Sequence, residues 1–239
     1  MNVRNFIVGI STSVLIASSV NAESYKFDYE KDVYLTLFGR AMKILDQDVS
    51  VGADDFGIQA GSADYKVNYE VGYSVGALVG FPLVKSFRGE VEASYSWWDV
   101  SDWDGTATLT IDGTDYTLGG SANVDQWGRS LSLYSNLIWD VKGDTGISFL
   151  KPYVGIGFGA DKVKEKLNTI VIGGSTVEVN EVNREVNYGM QILFGADVLQ
   201  TSNWIGGLRF GARKIFNHHE DPASDAEAIS AQVNLRYNF

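Results

Sequence analysis

The stretch Ala228-Ile229-Ser230-Ala231-Gln232-Val233-Asn234-Leu235-Arg236-Tyr237-Asn238-Phe239 decides the fold. Counting back by twos gives Phe239, Tyr237, Leu235, Val233, Ala231 and Ile229. The residues between them are Asn238, Arg236, Asn234, Gln232 and Ser230. Successive side chains leave a β-strand on opposite sides, so this alternation describes a strand with one apolar and one polar face. The apolar face ends in two aromatics, and the sequence stops on the second.

The same rhythm recurs seven more times up the chain, which predicts eight strands. They cover roughly residues 33–42, 69–81, 87–100, 126–141, 152–162, 186–198, 205–216 and 228–239. The second is clean: Val71, Tyr73, Val75, Ala77, Val79 and Phe81 oppose Glu70, Gly72, Ser74, Gly76 and Gly80. Most of these segments reach the ~9–11 residues that a tilted strand needs to cross a bilayer. The connections alternate. Segments 44–68, 101–125, 163–185 and 217–227 are long and polar, whereas 82–86, 142–151 and 199–204 are short. Within two of the long ones, Asp112-Gly113 and Gly173-Gly174 stand between short alternating runs, the pattern of a type I′ hairpin. Two hairpins are therefore expected to prolong the wall.

The N-terminus sets the compartment. Arg4 is followed by an uncharged, largely apolar run from Phe6 to Val20 that ends in Val20-Asn21-Ala22, a small-residue cleavage pattern. Residues 1–22 read as a secretory signal peptide and residues 23–239 as one domain. The sequence has no cysteine, which excludes disulfides and thiol chemistry. A net charge of −11 argues against nucleic-acid binding through a basic surface. Beyond the signal segment no apolar run approaches ~20 residues, so no transmembrane helix is expected. An exported chain that spans a membrane without helices must close into a barrel, because every backbone polar group in lipid needs an internal partner.

Aromatics gather at the predicted strand ends: Tyr95, Trp97 and Trp98, Trp127 and Trp139, Trp204, Phe216, Tyr237 and Phe239. Amphipathic rings favour the headgroup level, so they read as two girdles.

On these patterns, on Lys151-Pro152-Tyr153-Val154-Gly155-Ile156-Gly157-Phe158-Gly159 and on Tyr237-Asn238-Phe239, the chain resembles the small eight-stranded outer-membrane β-barrels. That superfamily includes the membrane domain of outer membrane protein A, opacity-type adhesins and porin-like surface antigens. The resemblance implies an all-β, up-and-down antiparallel barrel in a bacterial outer membrane, with short periplasmic turns and long extracellular loops. It also implies that Phe239 and Tyr237 form part of the signal read by the barrel-assembly machinery. Outer-membrane lipids and lipopolysaccharide would surround it.

With the apolar set facing lipid, Arg40, Glu70, Arg88, Glu90, Glu92, Asp140, Asp197, Arg209, Arg213 and Arg236 point into the lumen. An eight-stranded barrel is just wide enough for its side chains to fill it, and charge buried there must be paired. One reading is a charge-paired plug centred on Arg209, Arg213 and Arg236 and faced by Glu70, Glu90 and Glu92. The other is a narrow pore for small solutes or ions, with glycines leaving room beside the arginines.

His218 and His219, followed by Glu220 and Asp221, are the only histidines. Two lipid A-modifying enzymes of this barrel size combine a His with a Ser near the outer rim. Here the deacylase-like His-x-Ser spacing is missing, and the spacing matches no zinc pattern. No catalytic residue, metal or cofactor is assigned. The long loops are acidic, with Asp102, Asp104, Asp112 and Asp115 in the second and no Lys or Arg beside them. Such loops stay solvated and repel self-association. They also offer carboxylates to divalent cations shared with lipopolysaccharide phosphates, or to a basic partner on a host or neighbouring cell. The reading that follows is a non-enzymatic surface barrel of adhesin or antigen type, with a narrow channel as the alternative and a lipid A-modifying acyl enzyme using His218 or His219 as a second.

Overall fold

The structure is a computed structural model. It describes residues 33–52, 61–84, 86–111, 114–141, 150–172, 175–201, 203–216 and 225–239. The signal segment, the two glycine-containing hairpin turns and the His218/His219 pair lie outside the described residues.

The described chain forms ten strands: β1 Tyr34–Ile44, β2 Gln47–Gly52, β3 Gly61–Tyr69, β4 Val71–Val84, β5 Phe87–Ile111, β6 Thr114–Asp140, β7 Lys151–Ile172, β8 Ser175–Gln200, β9 Trp204–Phe216 and β10 Ala226–Asn238. Eight of them close a ring. Starting from β1, each neighbour pairs antiparallel in the order β4, β5, β6, β7, β8, β9 and β10, and β10 pairs back to β1 from Tyr34↔Asn238 to Ile44↔Ala228. The Phe239 amide donates to the Val33 carbonyl at 3.2 Å and extends the seam by one bond. Closure leaves no unpaired edge in the ring, the condition for strands in lipid. Among the described residues no helix is long and apolar enough to cross a membrane; this chain crosses with strands.

The alternation found in the sequence sets the facing. On β10, Val233 and Leu235 are exposed on the outer surface while Gln232, Asn234 and Arg236 are buried. On β6 the exposed Leu131, Leu133 and Leu137 alternate with the buried Ser132, Tyr134 and Asn136. Apolar side chains outside and polar ones inside invert the order of a water-soluble protein. This is the arrangement of a barrel whose outer solvent is lipid. Aromatics rim the belt. Phe87 stacks on Trp139 at 6.4 Å, and Trp204 meets Tyr237 edge-on at 4.9 Å near the short turns. Tyr95 and Trp97 lie 6.3 Å apart toward the other end. Trp98 departs from the expected girdle. It cannot share a face with Trp97, and it turns inward over Gly128 with 7% of its surface exposed.

The wall runs past the belt. β5, β6 and β8 are 25, 27 and 26 residues long, more than twice what a crossing needs. Ile111 pairs with Thr114 and Ile172 with Ser175, so both predicted hairpins prolong the wall. The first long connection, expected as a loop, holds a third. β2 pairs β3, and β3 pairs the upper half of β5 while β4 pairs its lower half. Tyr65-x-Val67-x-Tyr69 carries that extension, and Tyr65 stacks on Trp103 across the ladder at 5.3 Å.

Candidate functional site: the lumen and its outer vestibule

The inward positions of β1 and of β5 to β10 bring charge together. Arg209 is 2% exposed. Its Nη2 donates to both Glu90 oxygens at 3.0 and 2.8 Å, and its Nη1 lies 3.7 Å from Glu92. Arg40 donates to Glu92 at 2.5 Å and, through Nε, to the Gln232 side-chain oxygen at 2.8 Å. Arg213 lies 3.8 Å from Glu92 and 3.3 Å from Asp161. Arg236 donates to Asp197 at 3.0 Å. Arg88 sits 3.3 Å from Asp140 and 3.9 Å from Glu90 without a hydrogen bond to either. One connected set therefore runs from Asp140 through Arg88, Glu90, Arg209 and Glu92 to Arg40, Arg213 and Asp161. Charge-assisted bonds of this kind are the strong ones, and removing one partner strands the other in a low-dielectric interior.

Two memberships differ from the sequence expectation. Glu70 is exposed. It occupies the break between β3 and β4, where the register against β5 shifts after Asn68, and its backbone amide is held by the Asp99 carbonyl at 2.9 Å. Alternation counted back from Gly72 fails at that break, because Glu70 belongs to neither strand. Asp161 takes its place. It is 1% exposed and accepts from Ser132, from the Tyr134 hydroxyl at 2.6 Å and from Arg213. It lies two positions beyond Gly159 on the inward face of β7, so continuing the glycine row would have found it. Arg236 pairs with Asp197 on β8, not with the β5 glutamates.

Alternation puts Tyr34 and Tyr134 on inward faces, but what their rings pack against depends on strand pairing. Tyr34, Tyr134 and Tyr153 are 1–4% exposed and project inward. Each lies over an inward glycine of a neighbouring strand: a Cβ at Gly80 would overlap the Tyr34 ring, one at Gly159 the Tyr134 ring, and one at Gly195 the Tyr153 ring. The glycines thus make room for rings, and the rings carry guanidinium groups on their faces. Arg236 sits 4.3 Å from the centre of Tyr34, Arg213 4.1 Å from Tyr134 and Arg88 4.8 Å from Tyr153. Cation–π contact in a desolvated site adds to the ion pairs and fixes the planar groups. The Tyr34 hydroxyl also donates to Glu90 at 2.7 Å.

Above this set the lumen opens into a vestibule of about 140 Å³. Its floor is Arg40, Asp161 and Arg213. Its walls include Trp98, Glu165, Glu185 and Asn187. Burial, and then the nearby Glu185, push the Glu165 carboxyl above the usual carboxylate range. Among the described residues no group of three or more acidic or histidine side chains is placed to hold a metal.

No protein-family model matches the chain, and no curated protein matches it. Solved structures share its course. Neisserial surface protein A is 14% identical over 87% of this chain and 97% of its own, with a TM-score of 0.47. The outer membrane protein OprG of Pseudomonas aeruginosa is 11% identical over 88% and 97%, at 0.47. The attachment invasion locus protein of Yersinia pestis is 8% identical over 88% and 99%, at 0.45. By its closed ring, its apolar outer belt and its polar lumen, the chain is an eight-stranded antiparallel β-barrel built to span a membrane.

Proposed function

We propose that the protein is a non-enzymatic surface barrel whose lumen is a charge-paired plug and whose strand extensions and acidic loops face partners outside the cell. The observation that carries the reading is the burial of the central ions: Arg209, Glu90 and Glu92 are each 1–2% exposed, and Arg209 is hydrogen-bonded to Glu90 and lies 3.7 Å from Glu92. Rings and guanidinium groups stack across the same space. A plug of this kind transmits nothing, so what such a barrel does it does with its rim. There Asp102 and Asp104 both accept from Asn68 on the extended wall, at 2.5 and 3.0 Å, and present an acidic surface.

The channel reading has one observation in its favour, the vestibule that reaches down to Arg40 and Arg213. A lipid A-modifying reaction would rest on His218 or His219, which lie outside the described residues, and among the described residues no other arrangement supports it. Planar-bilayer recording on the refolded full chain separates the first two readings. A plugged lumen gives no reproducible open level. Steady stepwise conductance at neutral pH refutes the plug and establishes the pore.

A further inference from the structure

The outer surface of the extended wall carries a feature that the acidic composition hides. On β7 the outward series Val154, Ile156, Phe158 and Ala160 continues as Lys162, Lys164 and Lys166. The registers place these lysines beside matching positions on both neighbours. Lys162 lies between Leu131 and Val186, the last apolar row of the belt at this side. One row higher, Lys164 lies between Arg129 on β6 and Arg184 on β8. The next row up sets Lys166 between Trp127 and Val182. Five cations thus occupy three adjacent strands immediately above the lipid-facing surface. Trp127 braces two of them, with Arg129 4.6 Å and Lys164 5.4 Å from its ring centre.

Like charges directly opposite on a ladder destabilise it, and the row Arg129–Lys164–Arg184 sets three together. Among the described residues the sheet shows no carboxylate paired with this row on this face. Glu165 and Glu185 alternate to the vestibule side, and Asp125, farther along β6, accepts from Asn168 at 3.0 Å. In a chain of net charge −11 such a row is no by-product of basic composition. Its height decides the counter-ion. Two residues above the apolar belt is the headgroup level of the surrounding leaflet, with Trp127 in the place an interfacial ring takes.

We propose that Arg129, Lys162, Lys164, Lys166 and Arg184 form a docking surface for the phosphate groups of the glycolipid that makes up the outer leaflet. The two guanidinium groups offer paired N–H donors that match phosphate oxygens, and the lysines add point charge between them. The belt residues Leu131 and Val186, just below, meet the acyl chains of the same lipid.

The test is lipid A retention by the full chain refolded in phosphatidylcholine nanodiscs that contain lipid A, quantified as lipid bound per protein and titrated for affinity. The wild-type protein should bind bis-phosphorylated lipid A at least tenfold more tightly than the Arg129→Gln/Lys164→Gln/Arg184→Gln variant. The difference should shrink as salt rises. The charge-preserving Arg129→Lys/Arg184→Lys variant should keep most of the binding, which separates loss of the site from loss of folding. Equal binding by the triple Gln variant overturns the proposal, as does equal binding of dephosphorylated lipid A. Inorganic phosphate that displaces lipid A at micromolar concentration also overturns it, because the surface would then be a free-anion site.

Discussion

The lower and upper halves of β7 share one backbone ladder and meet two different surroundings. Below, Val154, Ile156 and Phe158 face outward and are 41–60% exposed, while Tyr153 and the glycine row face a lumen packed with ions. Above, Lys162, Lys164 and Lys166 face outward and the inner side opens into the vestibule. The hydrogen bonds to β6 and β8 continue through both halves with one irregularity on each side, after Asp125 and after Leu167. Strand pairing therefore does not record where the membrane ends. The outward side chains do, and the change from Ala160 to Lys162 marks that boundary. The comparison also separates two kinds of charge. Inside the belt an ion must have a partner, whereas on the extension water or a neighbouring headgroup serves.

If that distinction holds, charge removed from the lumen is the most damaging change. Glu92 faces Arg40, Arg209 and Arg213 at 2.5, 3.7 and 3.8 Å. Glu92→Gln should cost about 3–5 kcal/mol of unfolding free energy in lipid vesicles, because three guanidinium groups lose their shared carboxylate. Glu70→Gln, outside the network, should stay within about 0.5 kcal/mol. Equal effects would erase the distinction between lumen and rim.

The next largest effect concerns the outer face. Phe210 stacks on Phe194 at 5.3 Å in the belt. Phe210→Arg should cost about 2–4 kcal/mol in the same titration. Val182→Arg, on the outward face of the extension and 44% exposed, should cost far less. A reversed ranking would place the membrane boundary elsewhere.

Deleting Phe239 should act on assembly, not on stability. The residue is 73% exposed, and its ring contributes an edge contact to Tyr237 at 5.3 Å. Lower outer-membrane yield with periplasmic accumulation is expected, alongside a nearly unchanged unfolding midpoint for refolded protein. Wild-type yield after the deletion would remove Phe239 from the assembly signal.

The smallest effect is a pH dependence in the vestibule. Burial and Glu185 raise the Glu165 carboxyl above its unfolded value, so the folded state disfavours its charge. Stability from this group is greatest below the unfolded pKa and declines as pH rises through the folded one. Glu165→Gln should flatten that decline and leave acid stability unchanged. A steeper loss in the variant would contradict the placement.

How much of this was legible beforehand follows from what period two can and cannot encode. Facing is a local property, so Val233 outside and Arg209 inside could be assigned from alternation alone. Glu70 could not, because it sits in the break between β3 and β4 and belongs to neither ladder, so alternation no longer fixes its facing. Asp161 was within reach, since the inward row Gly155, Gly157, Gly159 leads to it. Tyr34 is visibly inward in the sequence, but its seat over Gly80 depends on pairing between β1 and β4, which local periodicity does not carry. The β2–β3 hairpin was missed because its apolar positions, Tyr65, Val67 and Tyr69, are too few to stand out from a polar connection. Lys162-x-Lys164-x-Lys166 is plain in the sequence. Its alignment with Arg129 and Arg184 is a matter of register and appears only when the barrel closes.

The central claim is that the lumen is held by specific ion pairs, and Arg209 with Glu90 is its most direct subject. A double-mutant cycle of Arg209→Gln, Glu90→Gln and the combined variant, read as unfolding free energy in vesicles, measures that pair alone. The account predicts that each single change is strongly destabilising and that the double is much less than their sum, with a coupling of at least about 1.5 kcal/mol. Additive losses, with coupling near zero, would mean that the two side chains share the lumen without pairing, and would contradict the plug.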